Sequence, residues 1–98
     1  VELVVELGIP ELTNDQIEEV CATAENAARK HVLSQVSQKL VEKLDISVEA
    51  EGAKPVTLIV EVDLALSPEA KDFDQKKLAD EAVRKAFEAI ETYLRKLS

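Results

Sequence analysis

Glycine, cysteine, methionine and tryptophan are nearly missing from this sequence of 98 residues, and each shortage closes off a class of function. Gly8 and Gly52 stand apart, so no glycine-rich loop is available to cradle a phosphate. Cys21 has no second cysteine to pair with inside the chain. His31 is the one histidine, too few for the Cys and His sets that hold zinc. Aromatic residues are Phe73, Phe87 and Tyr93 alone, which leaves no platform for stacking bases. No apolar run nears the length that crosses a membrane. The opening VELVVEL alternates and is acidic, unlike the basic-then-apolar pattern of a signal peptide, so the cytoplasm is the expected location.

What is abundant is acid and aliphatic. Twenty Asp and Glu oppose twelve Lys and Arg, for a formal net charge of −8. Nucleic acid is a dense line of negative charge and calls for a basic patch, which no run here supplies. Direct nucleic-acid binding is therefore not expected, whereas a partner with a basic surface is compatible with this charge. The hydrophobic fraction is 46%, enough for a packed core built from Val, Leu, Ile and Ala. The length fits one domain, residues 1–98. Charged residues at 33% and scarce glycine also suit a heat-adapted protein.

Hydrophobic periodicity predicts five elements. Val1, Leu3, Val5 and Leu7 alternate with Glu2, Val4 and Glu6, which predicts a half-buried strand over 1–7, ended by Gly8-Ile9-Pro10. Thr13 and Gln16 then stand at capping-box spacing, and Leu12 and Ile17 at that of a hydrophobic staple, so a helix is expected to start here. Ile17, Val20, Cys21, Ala24, Ala28 and Val32 share one face of that helix. Leu33, Val36, Leu40 and Leu44 share a displaced face, so the helix is expected either to bend near 32–37 or to turn to another neighbour, with Ser34 and Ser37 the places for a break. Residues 45–51 alternate as a second strand, 52–55 make a turn, and 56–66 form a third strand in a hairpin with it. Leu58, Val60, Val62, Leu64 and Leu66 are its expected buried face. Asp74 is placed to cap a last helix, with Phe73 and Leu78 at staple spacing. That helix carries one apolar stripe: Ala79, Val83, Ala86, Ile90, Tyr93 and Leu97. Asp80–Arg84, Glu81–Lys85 and Glu91–Arg95 stand four apart with the acid first, the favourable order. The pattern predicts an α+β fold of order β-α-β-β-α: a three-stranded sheet with two long helices on one face. The strand-helix-strand crossover is right-handed if the first strand lies parallel to its neighbour.

Chemistry-bearing residues do not cluster. Cys21 falls on the apolar face of the first helix and reads as a small buried hydrophobe. Ten residues of helix hold it about 15 Å from His31, too far for a Cys–His dyad. His31 reads as a boundary residue with one polar edge in water. Glu2, Glu6, Glu49, Glu51, Glu61 and Asp63 are expected on the open face of the sheet, among Val4, Ile59 and Ala65. Nothing resembles a calcium loop, and the first reading of such acids is a solvated face that resists aggregation. The apolar positions among them give that face a footing for recognition, with Val4, Ile59, Glu61 and Asp63 as its interface residues. No catalytic, cofactor-binding or metal-ligating residues are assigned.

The order strand, interrupted helix, hairpin, helix is similar to the minimal KH arrangement, whose GXXG loop clamps nucleic acid. Ser34-Gln35-Val36-Ser37 stands at the matching position without glycine, which implies at most a KH-like shape without KH function. More specifically, GIPELT at 8–13 opening a long acidic helix, followed by DISVEAE, VTLIVEVDL and a closing helix, resembles a family of small archaeal proteins of unknown function. The resemblance covers nearly the whole chain and carries no activity, cofactor or catalytic residue. Genes of that family often lie near those for the prefoldin beta subunit and a small subunit of the KEOPS tRNA-modification complex, which implies a setting in protein folding or translation and no mechanism. The expected function is a non-enzymatic cytoplasmic interaction protein with a protein partner. The alternative is an accessory subunit of a tRNA-modification or other RNA-associated assembly. The charge of the open face is compatible with a monomer, and its apolar positions with a symmetric homodimer or a protein partner on the same surface; any self-association is expected to be weak, and strengthened by salt if the acidic face is buried.

Overall fold

A computed structural model describes residues 2–9, 11–52 and 56–97, with the backbone alone for Glu2, Leu3 and Leu7. The elements are β1 (Glu2–Ile9), α1 (Asn14–Gln35), a 3₁₀ turn (Gln38–Leu40), β2 (Val41–Glu51), β3 (Val56–Leu66) and α2 (Gln75–Leu97). The α+β fold and the order β-α-β-β-α are as expected.

β3 is the central strand, and β1 and β2 pair on either side of it, both antiparallel. β1 and β2 therefore run the same way without touching. The expected condition for a crossover between adjacent parallel strands does not arise, because β3 lies between them. Strict alternation explains why β3 sits centrally. Val56, Leu58, Val60, Val62, Leu64 and Leu66 are all buried, while Thr57, Ile59, Glu61, Asp63 and Ala65 stay partly exposed. Both helices cover the buried face. α1 lies mainly over β2 and α2 over β3, and β1 receives only marginal cover from α2. Ala24, Ala28, Ala79, Ala82 and Ala86 are fully buried small residues that let the two helices approach closely.

α1 starts as its sequence dictates. Thr13 Oγ1 accepts from the Gln16 N–H at 3.2 Å, and Gln16 Oε1 accepts from the Thr13 N–H at 2.9 Å, which completes the capping box. Its break falls between Ser34 and Ser37, where one is expected, but no α-helix resumes directly beyond it. The helix stops at Gln35 instead of continuing to 44, and residues 41–44 belong to β2. Ser34 Oγ donates to the His31 carbonyl at 2.7 Å, Val36 turns extended and is buried, and Ser37 caps the 3₁₀ turn. The displaced stripe is thus no helix face: Leu33 is exposed, Leu40 is in the 3₁₀ turn, and Leu44 pairs with Leu64 on the core face of the sheet. No second helix follows α1 directly among the described residues beyond that single turn, so they contain no helix pair of the kind that flanks the KH clamp loop.

β1 also runs further than expected, since Gly8 and Ile9 pair with Thr57 and Val56 instead of ending the strand. Pro10 and the turn residues 53–55 lie outside the described residues; Gly52 takes a positive φ of 78°, which an L side chain rarely adopts. A bulge separates Val41 from Lys43 in β2. It places both residues usefully: Val41 packs against the core, while Lys43 joins the opposite face. Asp74 Oδ1 accepts from the Lys77 N–H at 3.1 Å and caps α2, whose Leu78, Ala79, Ala82, Val83, Ala86 and Ile90 are buried.

Candidate functional site

Two surfaces could act on another molecule: the open face of the sheet and the outer seam between the helices. The open face follows from period-two alternation. The register brings Val4 opposite Glu61, Glu6 opposite Ile59, Ser47 opposite Glu61, Glu49 opposite Ile59, and Asp45 opposite Asp63. Val4, Ile59, Glu61 and Asp63 thus lie together at the middle of this face, and Glu2 holds a register position on it opposite Asp63. Glu6, Asp45, Glu49, Glu51, Glu61 and Asp63 supply the negative charge. Val4 is 51% exposed, an apolar island among them.

One cation answers these acids in the sheet. Lys43 Nζ lies 2.8 Å from Asp63 Oδ2 and 3.8 Å from Asp45 Oδ2. Its hydrogen bond holds the Asp63 carboxyl below the usual aspartate range, against the opposing effect of partial burial. The helical spacing of Leu40 and Leu44 hides Lys43 in the sequence, and Asp45 falls at the first position of the expected second strand, outside its outward set of 47, 49 and 51. The signal that finds them is the Lys-x-Asp alternation, which continues the outward positions of 47, 49 and 51. Among the described residues, no three His, Cys, Asp or Glu are grouped to hold a metal ion.

The second surface is an open groove of about 850 Å³ along the seam of α1 and α2. It is open because Ala27 and Ala89 line it with small side chains. Its charges are mixed: Lys30, Lys85 and Lys96 against Glu19 and Glu88, with Lys85 and Glu88 3.3 Å apart. Burial and the neighbouring Glu19 carboxylate push the Tyr93 hydroxyl above its ordinary pKa. His31 is partly buried, as a boundary residue should be, but its Nε2 is tucked away from solvent and meets no hydrogen-bond partner among the described residues. Twelve residues of helix separate His31 from Glu19, about 18 Å, so these two do not act as an acid–base pair. Cys21 is half-buried rather than fully buried, packed against the core, with burial raising its thiol pKa. A raised pKa disfavours the reactive thiolate.

No helix of the described residues is long and apolar enough to cross a membrane. The chain shares its fold with two solved structures. One is a crystal structure from Thermococcus onnurineus NA1, with a TM-score of 0.86 and 28% identity over 99% of this chain and 93% of the other. The other is the solution structure of a hypothetical protein from Methanothermobacter thermautotrophicus, with a TM-score of 0.74 and 27% identity over 92% and 97%. Among curated proteins, an uncharacterised protein of Thermococcus kodakarensis is 35% identical over 97% of this chain and 87% of its own length. One from Pyrococcus furiosus is 27% identical over 97% and 85%. Residues 9–93 match the model of a family described as protein of unknown function (DUF3194), and the chain belongs to that family.

Proposed function

We propose that this protein is a non-enzymatic interaction protein that docks a basic polypeptide segment on the open face of its sheet. The observation that supports this is the composition of that face: six described carboxylates surround Val4 and Ile59, with Lys43 occupied by Asp63 and Asp45. A purely solvating face has no need of a half-exposed Val at its centre. Carboxylates in flat array attract Lys and Arg side chains over several ångströms, and the apolar island gives the stems of those side chains something to cover. The helix seam supports no competing reading, since its charges largely cancel.

The test is calorimetric titration with an extended Lys- and Arg-rich peptide at low and physiological salt. Binding is expected at low salt and weakens as salt rises. Glu61→Lys and Ile59→Lys are expected to abolish it, while Glu18→Lys, the same charge change as Glu61→Lys on an exposed position of α1, leaves most of it. Equal losses from Glu61→Lys and Glu18→Lys would reduce the effect to net charge and remove the face as a site.

A further inference from the structure

We propose that two copies of this chain pair edge to edge through β1, antiparallel and centred on Val5, joining their sheets into one of six strands. The proposal does not rest on the docking reading, because edge pairing leaves the open face accessible.

Both outer strands present an edge, but they are protected differently. β2 carries a bulge and the charged run Glu42-Lys43, and α1 packs over it. Bulges, charges and covering helices are the usual defences of an unpaired edge. β1 has eight residues with no bulge, two charged residues, Glu2 and Glu6, against five in β2, and only marginal cover from α2. Val5 remains only partly buried although it pairs with the fully buried Val60. The inner face of β1 thus lacks the helical layer that its neighbours have, and a second sheet edge with its own helices would extend that layer.

The β1 sequence fits itself in one register. A two-fold contact pairs residue i with j and j with i, and apolar positions stay together only when the shift keeps their parity. Centred on Val5, Leu3 faces Leu7, Val4 faces Glu6 and Glu2 faces Gly8, so no carboxylate lies opposite another. Centred on Val4, Glu2 would face Glu6; centred on Glu6, Glu6 would face itself. Centres nearer the strand ends pair only a short stretch. Like charges then remain only on the diagonals of the Val5 register, so added salt strengthens the contact modestly.

Sedimentation equilibrium of the full chain at physiological salt tests this. A weak dimer is expected. Val4→Glu puts a carboxylate opposite Glu6 twice per dimer and is expected to weaken it about 2- to 30-fold, the range for two ordinary cross-strand pairs. Val4→Lys is expected to tighten it, and Val4→Glu with Glu6→Lys to restore it. Glu49→Lys, on β2 at the far side of the sheet, leaves it unchanged. Circular dichroism of each variant checks folding, and Val4→Lys carries the test if Val4→Glu does not fold. A chain that stays monomeric at every concentration overturns the proposal. So does a dimer indifferent to both Val4 substitutions, or one that Glu49→Lys shifts as strongly as they do, which places the contact on the open face. Loss of peptide binding with an intact dimer, or the reverse, separates this proposal from the docking reading.

Discussion

Tyr93 shows how much one side chain can report here. Its phenol loses solvent on packing and lies beside the Glu19 carboxylate, and both effects favour the protonated form. The ordinary value is about 10. With the folded value above that, the contribution to stability is fully present below the ordinary pKa and is lost as pH rises through the folded one. Tyr93 is the one tyrosine and there is no tryptophan, so its ultraviolet titration is unobscured. The expected midpoint lies above the ordinary value, and Glu19→Gln brings it part of the way back, leaving the larger share due to burial. A midpoint that Glu19→Gln leaves in place would deny the carboxylate its part. Asp63 has the opposite sign: Lys43 lowers its pKa, so its contribution is present above the ordinary aspartate range and fades as pH falls through the folded value. The composition made Tyr93 conspicuous, but its partner was not legible. Glu19 and Tyr93 sit on different helices, and helical periodicity carries no information about which residues meet across a seam.

At the scale of elements, the legible features were those written in local chemistry. The capping box at Thr13 and the Asp74 cap are satisfied within three residues, so sequence spacing specifies them. β3 was legible over its full span because a central strand under two helices must alternate without interruption. The junction of α1 and β2 was not. Leu40 and Leu44 lie four apart, a spacing that suits a helix face, while the bulge after Val41 breaks the period-two signal that would have announced a strand. Of the i,i+4 pairs read from α2, Asp80–Arg84 forms at 3.0 Å and Glu91–Arg95 forms, whereas Lys85 turns to Glu88. Such exposed pairs are worth little, and the core stripe should decide the stability of α2. Ile90 has no exposed surface, and Ile90→Ala is expected to cost about 2–5 kcal/mol through lost burial and a cavity. Glu88→Ala removes only an exposed pair and is expected to cost less than about 0.5 kcal/mol. Urea denaturation of the two variants measures the difference. Similar losses would make α2 a peripheral element.

At the scale of the molecule, the open face carries a cost that binding would explain. The net charge is −8, and much of the acid is gathered on one surface with Lys43 as its cation in the sheet. Neighbouring carboxylates on a sheet repel, and net charge far from zero strains the compact state. The sequence revealed this charge and its alternation, but not that β3 would gather the acids of β1 and β2 around itself, since strand order follows from which helix covers which strand. Stability is therefore expected to rise with added sodium chloride, because screening relieves repulsion that the unfolded chain, with its charges spread apart, feels less. Glu49→Lys should raise the denaturation midpoint at low salt and flatten its salt dependence, since Glu49 lies opposite Ile59 with Glu6 on the other side of that residue. A face under no functional demand would be improved by such a change, and improvements of this kind commonly come at the expense of function. Thermal denaturation at two ionic strengths decides it. If stability is indifferent to salt in the native chain and Glu49→Lys lowers it, the acids are structural, held by contacts that outweigh their repulsion. If salt stabilises the native chain and Glu49→Lys replaces that effect, the face is kept acidic against the interest of the fold, as a surface that meets positive charge requires.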